Sequence, residues 1–177
     1  MCHPKSAYGK SKLKAEEFLT EWCEEHHVKL GVLRPSLMVG PNPPGNLKDM
    51  IKGIKKGYYF NVAKGKARKS LLMVTDIARL VPLVAEKGGT YNVCDNTNPS
   101  YGELSVLISK QLGKRKPLSI PMWMAKTAAL IGDLIPIFPI NSYRLRKLTV
   151  SSTYSNEKAK KELNWEPLEV LDNFKIE

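Results

Sequence analysis

Tyr8-Gly9-Lys10-Ser11-Lys12 opens a run through Leu13, Lys14, Ala15, Glu16, Glu17, Phe18 and Leu19 that reads as helix. Tyr8 and Lys12 stand four apart, so one helical turn brings their side chains to the same face. A free phenol, with a pKa near ~10, is a poor base at neutral pH, and an ammonium group beside it favours the ionised form. A tyrosine tuned this way can take a proton from an alcohol hydroxyl while hydride leaves the same carbon for a nicotinamide. A solvated helix face often shows the same spacing, so the weight of the pair rests on what surrounds it.

The elements that must position the pair follow in order. The first helix is expected over 7–25, with Phe18, Leu19 and Trp22 as an apolar stripe. A short β-rich run, 28–33, reads as a buried parallel strand, and helix then strand is half of a βαβ unit. Arg34-Pro35 ends that strand, and 39–45 is a loop dense in turn residues, where α/β folds place ligands. Asn46 is expected to cap a helix over 47–56 that Gly57 halts. Strands at 58–62 and 70–74 flank a basic turn, 64–69, in which Arg68 and Lys69 are suited to grip a diphosphate. Thr75 is the expected cap of the next helix, which runs through Ala85 with Pro82 inside it, and Gly88-Gly89 ends it before a strand at 90–94.

Ser100 and Glu103 have capping-box spacing ahead of Leu104, Leu107, Ile108 and Leu112. The long apolar stretch 122–140 is interrupted by Lys126 and Asp133 and broken at its end by Pro136 and Pro139. It predicts a packed helix, with a membrane-grazing helix as the alternative, rather than a span. Another helix is expected over 141–148, the last begins at Ser155-Asn156, and Leu163-Asn164-Trp165-Glu166-Pro167 is a packed turn.

A chain of 177 residues with 42% hydrophobic and 25% charged residues has the composition of a globular protein that builds a core. Its net charge of +11 would suit a nucleic acid, an anionic membrane or a phosphorylated small substrate. The lysines are spread along the chain with no nucleic-acid module beside them, so neither nucleic acid nor an integral membrane segment is expected. Three widely spaced cysteines, Cys2, Cys23 and Cys94, fit neither a disulfide framework nor a zinc site, and a cytoplasmic location is the default. His26 and His27 are adjacent and point apart on a helix, so no metal site is expected.

The segment YGKSKLKAEEFL closely resembles the active-site Tyr and Lys segment of extended short-chain dehydrogenases, the nucleotide-sugar epimerase/dehydratase family. LRP, VGP, GN, VTDIA, YNVCD and a late ELNWEP follow in that family's order, and the resemblance covers nearly the whole chain. It implies an α/β fold: the C-terminal part of a Rossmann-type parallel sheet, with residues 1–41 its last elements, and a mainly helical substrate-binding lobe over 42–177 that returns Rossmann elements around 70–95. It implies NAD or NADP as cofactor of a parent enzyme, with Tyr8 as base, Lys12 bonding the nicotinamide ribose and Pro35 and Ser36 against the nicotinamide. Asn46, Arg68, Lys69 and Arg144 would hold a nucleoside diphosphate sugar. No glycine-rich turn precedes Tyr8, so an N-terminal Rossmann half is expected to be missing, and the chain alone is expected to bind no cofactor and to be inactive. The resemblance also admits a homodimer through helices that flank the sheet.

Many family members carry Asn three residues after the strand-end arginine, where this chain has Leu37. RPSLMVGPNPPGN instead looks like a branch with RPPLVYGPG followed by GN, which includes hexosamine 4-epimerases and 4-keto-sugar reductases; NSYRLRKLT resembles the same branch. A UDP-hexose or UDP-hexosamine 4-epimerase is therefore the first expectation for the parent, with a keto-sugar reductase or dehydratase as alternative. From other classes, a non-catalytic binding or assembly module that keeps the Tyr and Lys, and a basic nucleic-acid or membrane-surface protein, are the rivals.

Overall fold

A computed structural model of the chain describes residues 4, 6–135 and 140–176. Helix α1 (Ala7–Glu25) begins where the Ser6 hydroxyl accepts a hydrogen bond from the Gly9 amide, and it ends in a left-handed turn at His27 (φ 55°). The Val28 amide donates to Cys23 O at 2.8 Å and that of His27 to Glu24 O at 3.3 Å, the double bond of a Schellman stop. Val28 thus serves the helix end, and strand β1 (Gly31–Pro35) starts and finishes later than the apolar run suggests. Arg34 and Pro35 lie inside it.

Among the described residues the three strand pairs are all parallel, apart from an isolated antiparallel bridge between Arg68 and Ser100. β1 pairs with β5 (Gly89–Val93), β2 (Leu37–Val39) with β4 (Leu71–Met73), and β3 (Asn61–Val62) with β6 (Ser119–Ile120). The strands around the basic turn are shorter than expected. The Tyr58 and Tyr59 amides turn back onto Gly53 O, and Val74 already belongs to α3 (Val74–Lys87).

Two expected caps are corrected. Helix α2 (Gly45–Lys56) starts one residue before Asn46, after Pro44, so Asn46 sits in the first turn and its side chain bonds Tyr101 instead. α3 grows directly out of β4 after Met73, so Thr75 is within the helix; the buried Asp76 turns inward, accepting from the Leu168 amide at 2.9 Å and pairing with Arg79. Ser100 caps α4 (Tyr101–Gln111) in the expected capping box with Glu103.

Three apolar clusters hold the elements. Val39, Met50, Leu71, Leu104, Ile108 and Phe174 join β2 and β4 to α2, α4 and the short α8 (Val170–Asn173). Leu80, Val84, Tyr91, Val93, Leu163 and Trp165 join β5 to α3 and α7 (Glu157–Leu163). The turn at the ELNWEP segment is packed as expected, with left-handed Asn164 ending α7 and Trp165 buried. Gly65 and Gly102 cross so closely that a Cβ on Gly65 would lie 2.5 Å from the Gly102 amide nitrogen, which lets the turn after β3 sit on α4.

The third cluster is small: Val62, Ala125, Ala129 and Leu145, where α5 (Met122–Leu134) meets α6 (Ser142–Thr149). α5 does pack, but its buried residues are the small Ala125, Ala129 and Gly132, with Met122 partly buried beside them. Pro136 and Pro139 lie outside the described residues. α1 departs from expectation in the same sense. Its stripe, Phe18, Leu19 and Trp22, is exposed, and Cys23 is its one buried residue.

Candidate active site

Tyr8 and Lys12 sit one turn apart on α1, with the Lys12 ammonium 5.6 Å from the centre of the Tyr8 ring. Tyr8 is 74% exposed. The helix is fixed to the sheet by Arg34 of β1, whose Nε donates to both carboxylate oxygens of Glu16 at 3.1 Å. Because α1 leads into β1 through a short turn, helix and strand run in opposite directions. Tyr8 lies two turns before Glu16, about 12 Å along the axis, and so extends toward the carboxyl end of β1. Pro35 and Ser36 occupy that end. The Ser36 amide donates to Val93 O at 3.0 Å, while its buried hydroxyl has no partner.

A cleft of about 360 Å³ opens between α2 and α6. Asn46 and Arg144 share its wall with Asp49, Lys52, Tyr58 and Tyr59. Burial pushes the Tyr59 phenol well above its ordinary range, and also raises that of Tyr101, against the opposing hydrogen bond from Asn46. Lys69 reaches toward α6 and donates to Val150 O at 2.9 Å. Partial burial, and then the neighbouring Lys147, hold its ammonium below the usual lysine range.

Arg68 stands apart. Arg68 and Lys69 are extended and bridge to Ser100 and Ser152 on different sides, so consecutive side chains diverge. The Arg68 guanidinium donates to Asn98 O at 3.1 Å and lies 3.6 Å from Glu103. It lines a separate cleft of about 940 Å³ with Lys64, Lys66, Lys110 and Lys116. The structure therefore brings Asn46 to Arg144, points Lys69 toward the same helix, and directs Arg68 elsewhere; the basic turn forms no joint grip. Tyr58, Tyr59 and Lys147 escaped the sequence reading. Lys147 follows Arg144 at i+3, a spacing that could have revealed it.

Cys23 and Cys94 are buried free thiols, and burial raises the Cys94 thiol above its ordinary value. Among the described residues no cluster of three His, Cys, Asp or Glu could hold a metal ion, and no helix is long and apolar enough to cross a membrane.

The model of the NAD dependent epimerase/dehydratase family matches residues 1–94. The N-acetyl-alpha-D-glucosaminyl-diphospho-ditrans,octacis-undecaprenol 4-epimerase of Escherichia coli O157:H7 is 25% identical over 167 residues, covering 88% of this chain and 50% of that protein. The UDP-glucose 4-epimerase of Vibrio cholerae is 24% identical over 181 residues, covering 97% and 52%. The chain thus spans about half the length of these curated relatives. Among solved structures, UDP-glucose 4-epimerase of Thermotoga maritima with UDP-glucose superposes with a TM-score of 0.69 at 22% identity, covering 96% of this chain and 51% of that one.

Proposed function

Because the chain belongs to the NAD dependent epimerase/dehydratase family, we propose that it forms the carboxy-terminal part of an NAD- or NADP-dependent enzyme that carries out reversible redox at a carbon of a diphosphate-linked sugar, of the UDP-hexose or UDP-hexosamine 4-epimerase type. Tyr8 is the base: its phenolate oxygen takes the proton of the sugar hydroxyl as the C–H bond breaks and a ketone forms. Lys12 stabilises the phenolate and bonds the ribose of the cofactor. A bound nicotinamide would supply the hydride acceptor, and on return of the hydride to the other face of the ketone Tyr8 would give the proton back. The partnerless hydroxyl of Ser36 at the carboxyl end of β1 fits a polar ligand group there, and Pro35 beside it offers an apolar surface for a ring.

The observation that carries the binding half of this reading is Lys69. Its ammonium donates to Val150 O at the end of α6 at 2.9 Å, near Lys147 of the same helix, and Arg144 and Asn46 line the cleft between α2 and α6, so that cations gather where an anion would bind. A sugar diphosphate supplies that anion, and the substrates for which the two relatives are named, a UDP-sugar in one and a diphospho-undecaprenol sugar in the other, both carry it. Arg68, tied to Asn98 and Glu103, is the weakest member of the proposed substrate set.

Calorimetric titration of the 177-residue chain with UDP tests the binding half: Arg144→Ala and Lys69→Met should each weaken binding about tenfold or more, whereas equal affinity of both variants would remove the assignment. The same chain titrated with NAD should give weak binding or none, and tight stoichiometric binding would overturn the fragment reading.

A further inference from the structure

We propose that the outward face of α5 docks on an anionic phospholipid surface, with the helix lying in the plane of the headgroups. The helix is inverted relative to one that serves a protein core. Its small residues, Ala125, Ala129 and Gly132, face the body, while Trp123 is 69%, Leu130 63% and Leu134 84% exposed. Those three large side chains are seven and four residues apart, which places them within about 40° of one another around the axis, opposite the small ones. Thirteen residues are too few to span a bilayer. A short helix with a Trp–Leu ridge and cations at its flank has the form that settles at a membrane interface.

The charge around the ridge chooses the partner. Lys126 on α5 and Arg146 on α6 stand at the flank of the ridge, and Lys114 and Arg115 precede the helix in sequence. From residue 112 to residue 150 the only acid is Asp133. Its carboxylate is engaged by the Ser142 amide at 3.0 Å and by the Ser142 hydroxyl. Between α5 and α6 lies a groove of about 490 Å³ in which Lys126 and Arg146 stand beside Met122, Leu130 and Leu145. A phosphate headgroup meets the two cations there while its acyl chain follows the apolar wall. α1 supplies an internal contrast. Phe18 and Trp22 are also exposed, but the lysines of that helix all lie at 10–14, and the half that carries the two rings holds Glu17, Glu21, Glu24 and Glu25, which repel an anionic surface. The inference is independent of the reaction proposed above, since it uses neither Tyr8 nor Lys12.

Flotation of the 177-residue chain with vesicles of phosphatidylglycerol and phosphatidylcholine tests it. The chain should float with these vesicles at low salt, less at high salt, and remain behind with phosphatidylcholine alone. Leu130→Glu combined with Leu134→Glu should reduce binding at least tenfold with an unchanged circular dichroism spectrum, and Lys126→Glu should reduce it with no apolar residue altered. Phe18→Glu with Trp22→Glu should bind as the parent chain does. Binding that survives the α5 changes, that is equal on neutral vesicles, or that is lost equally through the α1 changes overturns the proposal. So does a dimer, seen by sedimentation, that the α5 changes dissociate in a chain that ignores vesicles.

Discussion

Helices α1 and α4 divide the labour of the molecule unequally. α1 has 19 residues and buries one, Cys23; α4 has 11 and buries Tyr101, Leu104, Ser105, Ile108 and Ser109. The helix with the pair proposed for catalysis is attached to the body, mainly by Glu16 on Arg34, whereas the helix with no assigned chemistry is embedded in it. Burial follows the need to remove apolar surface from water. Reactive groups need access, so the core neither requires nor reports them. Measurements of stability and of activity should therefore separate cleanly along these two helices.

The sharpest break is Tyr8→Phe in the enzyme proposed above, which should lower turnover by roughly 10²–10⁴ and leave the melting temperature unchanged, since the ring is exposed. A coincident loss of stability would erase the distinction. On the embedded side, Phe174→Ala removes a 1% exposed ring from the cluster that holds α4. It should cost about 3–5 kcal/mol in urea unfolding. Ser100→Ala, which deletes the hydroxyl of the capping box, should cost about 1 kcal/mol. Glu16→Gln should cost under ~1 kcal/mol globally, yet hydrogen exchange of the α1 amides should quicken while that of α4 does not.

The smallest effect is a pH dependence. Hydrogen bonds from Ser100, then the nearby Arg68, hold the Glu103 carboxyl below its ordinary value. A depressed folded-state value means stability that is present above the ordinary glutamate range and is lost as pH falls through and below it. Exposure limits it to a few tenths of a kcal/mol, and Ser100→Ala should flatten this acid limb.

Local chemistry explains which features were legible. The Ser100–Glu103 box and the glycine stop at Gly57 involve residues three or four apart, so the sequence carries the whole interaction. Asn46 misled because a good cap residue is equally good at a longer-range bond, here to Tyr101. Val28 looked like strand because its apolar side chain says nothing of the Schellman bond its amide makes. The divergence of Arg68 from Lys69 depends on Ser100 and Ser152, far along the chain, and no pattern near residue 68 announces it. The pairing of Tyr8 with Lys12, by contrast, needed only one turn of helix.

The parallel pairing of all the described strands has a consequence for how the molecule forms. Gly31 meets Gly89, Leu37 meets Leu71 and Asn61 meets Ser119, each across dozens of residues. None of the three sheets can be seeded by a hairpin, so loop entropy must be spent before any ladder bond repays it. Helices with local stops, such as α2 and α4, can flicker into existence early; the strands must wait for chain segments to find one another. Such a topology folds slowly for its size, and during the wait its unpaired strand edges are open to other copies, so refolding yield should fall as protein concentration rises.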